Sequence, residues 1–168
     1  INYFLDINKK EKAIRYFEQL LNNYEKSVSR VDLTPKKRVE QIFLIGKLYK
    51  DFDKLKLSER WLNQGLKSAE TLKENKKRWQ LSILREKGEV LFYMGQHRQA
   101  LAASLKVLYL DNTISDKLLY DLNLRIASSY KHLGRISEAQ AIYRKMLKNI
   151  KTKKKKVKIE KLLRKLTK

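Results

Sequence analysis

The chain has 168 residues, with 40 Lys or Arg against 18 Asp or Glu, a formal net charge of +22 and no cysteine. Apolar residues make up 42% of it, enough for one ordinary domain with a real core, which excludes wholesale disorder; the missing cysteines exclude disulfides and thiolate metal centres. The charge suits nucleic acid, anionic membrane or acidic protein surfaces without choosing among them, and five glycines with one proline are too few for a turn-rich all-β chain.

The first predicted element is a helix over 10–26. "NKKEKAIRYFEQLL" (8–21) supplies Asn8, Ala13, Phe17, Leu20 and Leu21 at helical spacing. Thr34 and Pro35 start the next helix, 35–51, with a hydroxyl cap and a proline where its missing N–H does no harm. A third follows over 55–74. Together these carry "IFLIGKLYKDFDKLKLSERWLNQGL" (42–66), with Gly46, Tyr49, Ser58, Leu62, Gly65 and Leu66 as its marked positions. Helices over 77–94 and 97–110 then carry Gly88, Leu91, Gly95, Ala100, Ser104, Val107 and Leu108. Ser115 and Asp116 open a helix over 116–132, followed by one over 136–150, carrying Ala127, Tyr130, Gly134, Ala139, Tyr143, Met146 and Leu147. A last helix is expected over 154–167, and no strands.

The second, third and fourth sets are copies of one pattern. Gly95 and Gly134 stand 39 residues apart, and Gly46 and Gly88 stand 42 apart. Each copy reads as two amphipathic helices joined by a tight turn. Gly95 and Gly134 suit a left-handed turn conformation, and Asp53 stands in that place in the weaker copy. Gly46, Gly88 and Ala127 let the second helix approach closely; Ala100 and Ala139 do so from the other side, with Phe17, Leu62 and Tyr143 filling the groove.

On Gly88, Leu91, Gly95, Ala100 and Leu108, and on Ala127, Tyr130, Gly134, Ala139, Tyr143 and Leu147, the chain resembles the tetratricopeptide repeat. The likeness covers roughly residues 1–150. It departs from the family in having Asn112 and Lys151 where a closing proline is usual. Spacings of 39 and 42 in place of about 34 place extra residues near 73–80 and 114–119. The resemblance implies an all-α right-handed superhelix, an α-solenoid of antiparallel helical hairpins. Residues 1–34 would be a truncated repeat, and 35–76, 77–114 and 115–150 full hairpins. Residues 151–168 would form a basic amphipathic C-terminal capping helix. With the first repeat cut at Ile1, the chain is read as a processed or excised piece with further repeats or a domain before it.

In such proteins the first helix of each hairpin lines a concave face that binds another protein. By that mapping the partner-binding face holds Phe43, Lys47 and Lys50, then Arg85, Glu89, Phe92 and Tyr93, then Leu124, Ser128 and Lys131. That basic and aromatic set suits a partner with acidic and apolar residues. The family's Lys, Asn and Arg set for a terminal carboxylate is not found in register.

The last segment, "KTKKKKVKIEKLLRKLTK" (151–168), carries ten basic residues and one acidic, with Val157, Ile159, Leu162, Leu163 and Leu166 largely on one helical face. Its first reading is a solenoid cap. Its alternative is an anion-docking element, Lys153, Lys154, Lys155, Lys156 and Lys158, for membrane or nucleic acid.

No catalytic constellation is present in the sequence. His97 and His132, the only histidines, read as exposed turn residues, and neither has the partner a helical zinc site needs. Gly88 and Gly95 belong to helices and not to a phosphate loop. Asp51 and Asp53 read as a solvated turn, and Trp61 and Trp79 as packing residues between successive hairpins. The expectation is therefore a non-enzymatic scaffold with no cofactor. No apolar run approaches the roughly 20 residues of a membrane span, no signal peptide is visible, and the compartment is left open.

Overall fold

The computed structural model describes residues 10–29, 33–111 and 113–166. Among these it contains helices α1 Lys10–Val28, α2 Pro35–Asp51, α3 Leu55–Glu70, α4 Lys76–Tyr93, α5 His97–Leu110, α6 Asp116–His132, α7 Ile136–Asn149 and α8 Lys153–Arg164, and no strand. The chain divides into two compact units, residues 1–83 and 84–168, with α4 running from one into the other.

Helix starts follow the sequence signals. Thr34 Oγ1 accepts from the Lys37 N–H and Ser115 Oγ from the Leu118 N–H, both at 3.4 Å. Asp116 in the first turn of α6, with Lys131 and His132 in the last, complements the helix dipole. The third helix stops at Glu70, not at residue 74. The Thr71 and Leu72 N–H groups turn back to the Ser68 and Ala69 carbonyls, and Leu72 tucks in at 8% exposure. Asn75 at φ +58 then redirects the chain, so α4 begins at Lys76. The extra length expected near 73–80 thus sits in 71–75, and residues 76–80 and 116–119 are helix.

In the first unit, Leu21 and Val28 of α1 pack against Ile42, Ile45 and Tyr49 of α2, with Trp61 of α3 against that cluster. Gly46 brings α2 and α3 together: a Cβ placed there would lie 2.9 Å from Leu62 Cδ2. Ser58 Oγ, fully buried, donates to the Gly46 carbonyl at 2.6 Å. Leu62 is itself fully buried, and that burial contributes about 2 kcal/mol. Phe17, expected to fill a groove, has its side chain outside the described residues, as do Ala13 and Asn8.

In the second unit, Ala127 of α6, Tyr143 and Met146 of α7 and Ile159 of α8 form one cluster, with Leu162, Leu163 and Leu166 packed onto it. Ile159, Leu162, Leu163 and Leu166 of α8 are therefore spent on this cluster, whereas Val157, expected on the same face, is 41% exposed because it lies off the line of contact.

Three turns share one geometry. Gly95 and Gly134 take φ +74 and +73, and Asp53 takes +58 at the matching place. In each, the residue after it donates back to a carbonyl five residues earlier: Lys54 to Tyr49, Gln96 to Leu91, Arg135 to Tyr130, at 2.8–2.9 Å. This is the left-handed helix stop with its paired return bonds. No atom lies within 4 Å of a Cβ placed at Gly95 or Gly134, so backbone conformation alone selects glycine there.

Asp53→Gly should raise stability by about 0.5–1 kcal/mol, and Gly95→Ala should lower it by about 1–2 kcal/mol; urea denaturation of each variant reads both. A second test uses Tyr49, whose hydroxyl donates to Glu25 Oε1 at 2.9 Å. Burial and this bond raise its pKa from 10.0 to about 12. The folded state holds the proton more tightly than the unfolded one, so this contribution is complete below pH 10 and is lost as pH rises towards 12. Tyr49→Phe should flatten that part of the stability profile in thermal unfolding across the alkaline range.

Candidate functional site

The expected inner-face residues fall into two groups, one in each unit. In the first, Phe43 is half-buried and meets Trp79 edge-on, with ring centroids 5.8 Å apart. Lys47 Nζ lies 5.8 Å from the Phe43 ring centroid, and Lys47 and Lys50 are both half-buried. Trp79 thus joins the aromatic set that sequence reading assigned to Phe43 alone on α2.

In the second unit a ring cluster forms where α4 ends, α5 begins and α6 ends. Phe92 lies 5.2 Å from His97, 5.9 Å from His132 and 6.3 Å from Tyr93, between ring centroids. His97 and His132 meet edge to face at 4.1 Å. Tyr93 is 61% exposed at the edge of this cluster, and Lys131 is exposed on the last turn of α6. The two histidines, read in the sequence as separate exposed turn residues, are thus neighbours: His132 is exposed, whereas His97 is half-buried with Nδ1 fully enclosed and without a hydrogen-bond partner. Burial, then the adjacent His132, holds the His97 imidazole below its usual pKa. Its place at the N-terminus of α5 disfavours its positive form as well.

Other expected inner-face residues are engaged inside the fold. Arg125, which sequence reading passed over, reaches from α6 to α4. Its Nη1 donates to the Arg85 carbonyl and its Nη2 to Glu89 Oε2, each at 3.0 Å. The guanidinium occupies the notch left by small residues: a Cβ at Gly88 would stand 3.3 Å from Arg125 Nη1 and 3.4 Å from Ser104 Oγ. Burial lowers the Arg125 pKa, and Glu89 and Glu86 oppose the shift. Leu124 packs against the Tyr143–Ile159 cluster, and Ser128 hydrogen-bonds the Tyr143 side chain. On α8, Lys153, Lys154, Lys156 and Lys158 are exposed, and Lys155 Nζ sits 4.5 Å over the Tyr120 ring.

Two family models, both described as tetratricopeptide repeat, match residues 120–151 and 1–27. Among solved structures, the nearly identical TPR-like repeats of a Podosopora anserina protein described as a kinesin light chain align with 95% of this chain and 78% of their own, at 15% identity and a TM-score of 0.70. The chain is a tetratricopeptide-like helical repeat protein. BtubC (BKLC) from P. vanneervenii aligns over 93% of this chain and 65% of its own length, at 16% identity and a TM-score of 0.65. At these identities the likeness is one of fold. No curated protein matches the sequence.

Tetratricopeptide repeats generally bind other proteins. In this repeat protein no described helix is long and apolar enough to cross a membrane. Among the described residues no group of three or more His, Cys, Asp or Glu could hold a metal ion.

Arg125→Ala should cost about 2–3 kcal/mol, because it empties the notch beside Gly88 and removes the cation facing a partly buried Glu89. Arg125→Met, which refills the volume without the charge, should cost less. Chemical denaturation of the two variants separates packing from ion pairing.

Proposed function

We propose that this chain is a non-enzymatic interaction scaffold. In this reading residues 1–150 carry the repeats and residues 151–168 cap them. The partner protein is held by the first helices of the hairpins, through Phe43, Lys47 and Lys50 on α2, Arg85, Glu89, Phe92 and Tyr93 on α4, and Leu124, Ser128 and Lys131 on α6. The observation that carries the reading is Tyr93, a large aromatic side chain 61% exposed beside Phe92, in a unit whose α6 ends on the exposed Lys131. Exposed aromatics of this kind anchor protein interfaces, and a positive surround speeds encounter with an acidic partner. Glu89, Leu124 and Ser128 contribute by fixing the helices that present those anchors.

A second reading rests on α8. Its exposed Lys153, Lys154, Lys156 and Lys158, with Lys155 beside them, offer clustered positive charge to an anionic membrane or nucleic acid. The two readings separate by salt, since exposed lysine contacts are screened and an aromatic anchor is not.

The experiment is affinity capture from native extract with nuclease present, at moderate and high salt. Three baits run in parallel: wild type, Tyr93→Ser, and a variant with Lys153, Lys154, Lys156 and Lys158 changed to Glu. The scaffold reading expects one protein partner retained by wild type and by the tail variant at both salts, and weakened at least tenfold by Tyr93→Ser. A partner indifferent to Tyr93 and lost with the tail charges or with salt would transfer the function to α8.

A further inference from the structure

A groove in the second unit is lined by none of the inner-face residues of the proposed partner site. It has a volume of about 520 Å³ and opens between the N-terminal half of α6, the C-terminal end of α7 and the start of α8. That volume is within the range of about 300–1,000 Å³ typical of sites that enclose a small ligand or one or two side chains. Its walls include Leu119, Met146 and Ile150. Leu119 is 36% exposed although it lies in a helix whose other leucines are half-buried or buried. Lys145, Lys151 and Lys155 stand around the apolar floor, against one carboxylate, Asp116. Tyr120 also lines the groove, and its hydroxyl is buried without a hydrogen-bond partner.

We propose that this groove binds an acidic–aliphatic peptide segment of a partner protein, an aliphatic side chain entering between Leu119, Met146 and Ile150 while flanking carboxylates meet Lys145, Lys151 and Lys155. Charge complementarity selects the class: three cations to one anion rim an apolar floor on a chain of net charge +22. A cationic peptide is repelled and a wholly polar one leaves the floor empty. Lys155 already sits over the Tyr120 ring, which holds its ammonium at the rim. The site is separate from the Tyr93 cluster: Tyr120 and His132 are twelve residues apart on α6, about 18 Å along the helix. The proposal shares with the scaffold reading only the premise that the partner is a protein.

The test is fluorescence anisotropy on the full chain with a labelled synthetic peptide, Asp-Glu-Leu-Leu-Glu-Asp. Controls are the same peptide with both Leu replaced by Ser, the same peptide with its acids amidated to Asn and Gln, and sodium decanoate as an unlabelled competitor. Protein variants are Leu119→Glu, Lys155→Glu, Tyr93→Ser and, on the exposed surface of α3, Lys56→Glu, with circular dichroism establishing that each is folded. Both altered peptides should bind at least tenfold more weakly than the parent. Leu119→Glu and Lys155→Glu should each weaken the parent peptide at least fivefold, while Tyr93→Ser and Lys56→Glu leave it within twofold. Equal binding of the Ser peptide would reduce the effect to general charge attraction and defeat the proposal. So would an absence of peptide binding, with or without binding of decanoate. Loss on Tyr93→Ser with Leu119→Glu unaffected would move the peptide to the inner face, sinking the groove while the scaffold reading stands.

Discussion

Two helices of a hairpin can approach closely only where one of them presents almost no side chain. That constraint recurs at a single register position in this chain, and the partner across it decides what each hairpin becomes. Gly46 faces Leu62, and the pair closes α2 on α3 with a large apolar side chain seated against bare backbone. Ala127 and Tyr143 share a cluster with Ile159, so the corresponding place between α6 and α7 also docks α8. Gly88 meets Ser104, where both sides are small and the packing is incomplete from the hairpin's own resources.

The Gly88 notch explains the role of Arg125. Its guanidinium fills space that a leucine fills at Gly46, and it reaches back to a carbonyl and a carboxylate of α4. A charge used in this way must be bonded on several sides, because burial alone opposes it. Arg85 and Glu89 therefore serve the contact between successive hairpins as well as the surface they share with solvent. Where a repeat trades an apolar filler for an ionic one, specificity of stacking comes with the cost of desolvation.

Charge is distributed by the same logic. Most of the apolar stripe of α8, Val157 excepted, is consumed by Tyr143, Met146 and their neighbours, which leaves its lysines facing water or, for Lys155, the face of Tyr120. The histidines obey the helix dipole: His132 closes α6, where a positive charge is welcome, and His97 opens α5, where it is not. Their contact joins two turns that are far apart in sequence, beside the exposed ring of Tyr93.

Much of the fold was legible in the residues. Helix periodicity, the Thr34 and Ser115 caps and the turn glycines are local signals, and they placed eight helices with ends that moved by a few residues at most. The copy with Asp53 in the turn was legible as a weak repeat, and the backbone there is left-handed like the glycine turns, since return hydrogen bonds set that conformation and aspartate tolerates it at a cost. Helical register alone puts Phe92, Tyr93 and Lys131 near hairpin turns, and of these Tyr93 and Lys131 are exposed and Phe92 is half-buried. It was not legible which members of the set are committed to packing. Glu89, Leu124 and Ser128 look alike in the sequence to free surface residues, and their partners Arg125, Ile159 and Tyr143 lie 15 to 36 residues away. The sequence by itself determined the repeat, its helices and its turns, because those depend on contacts within a few residues. Only the tertiary structure decided the Arg125 notch, the His97–His132 pair and the groove at Tyr120, because each is made by side chains from different helices whose meeting depends on how the hairpins pack.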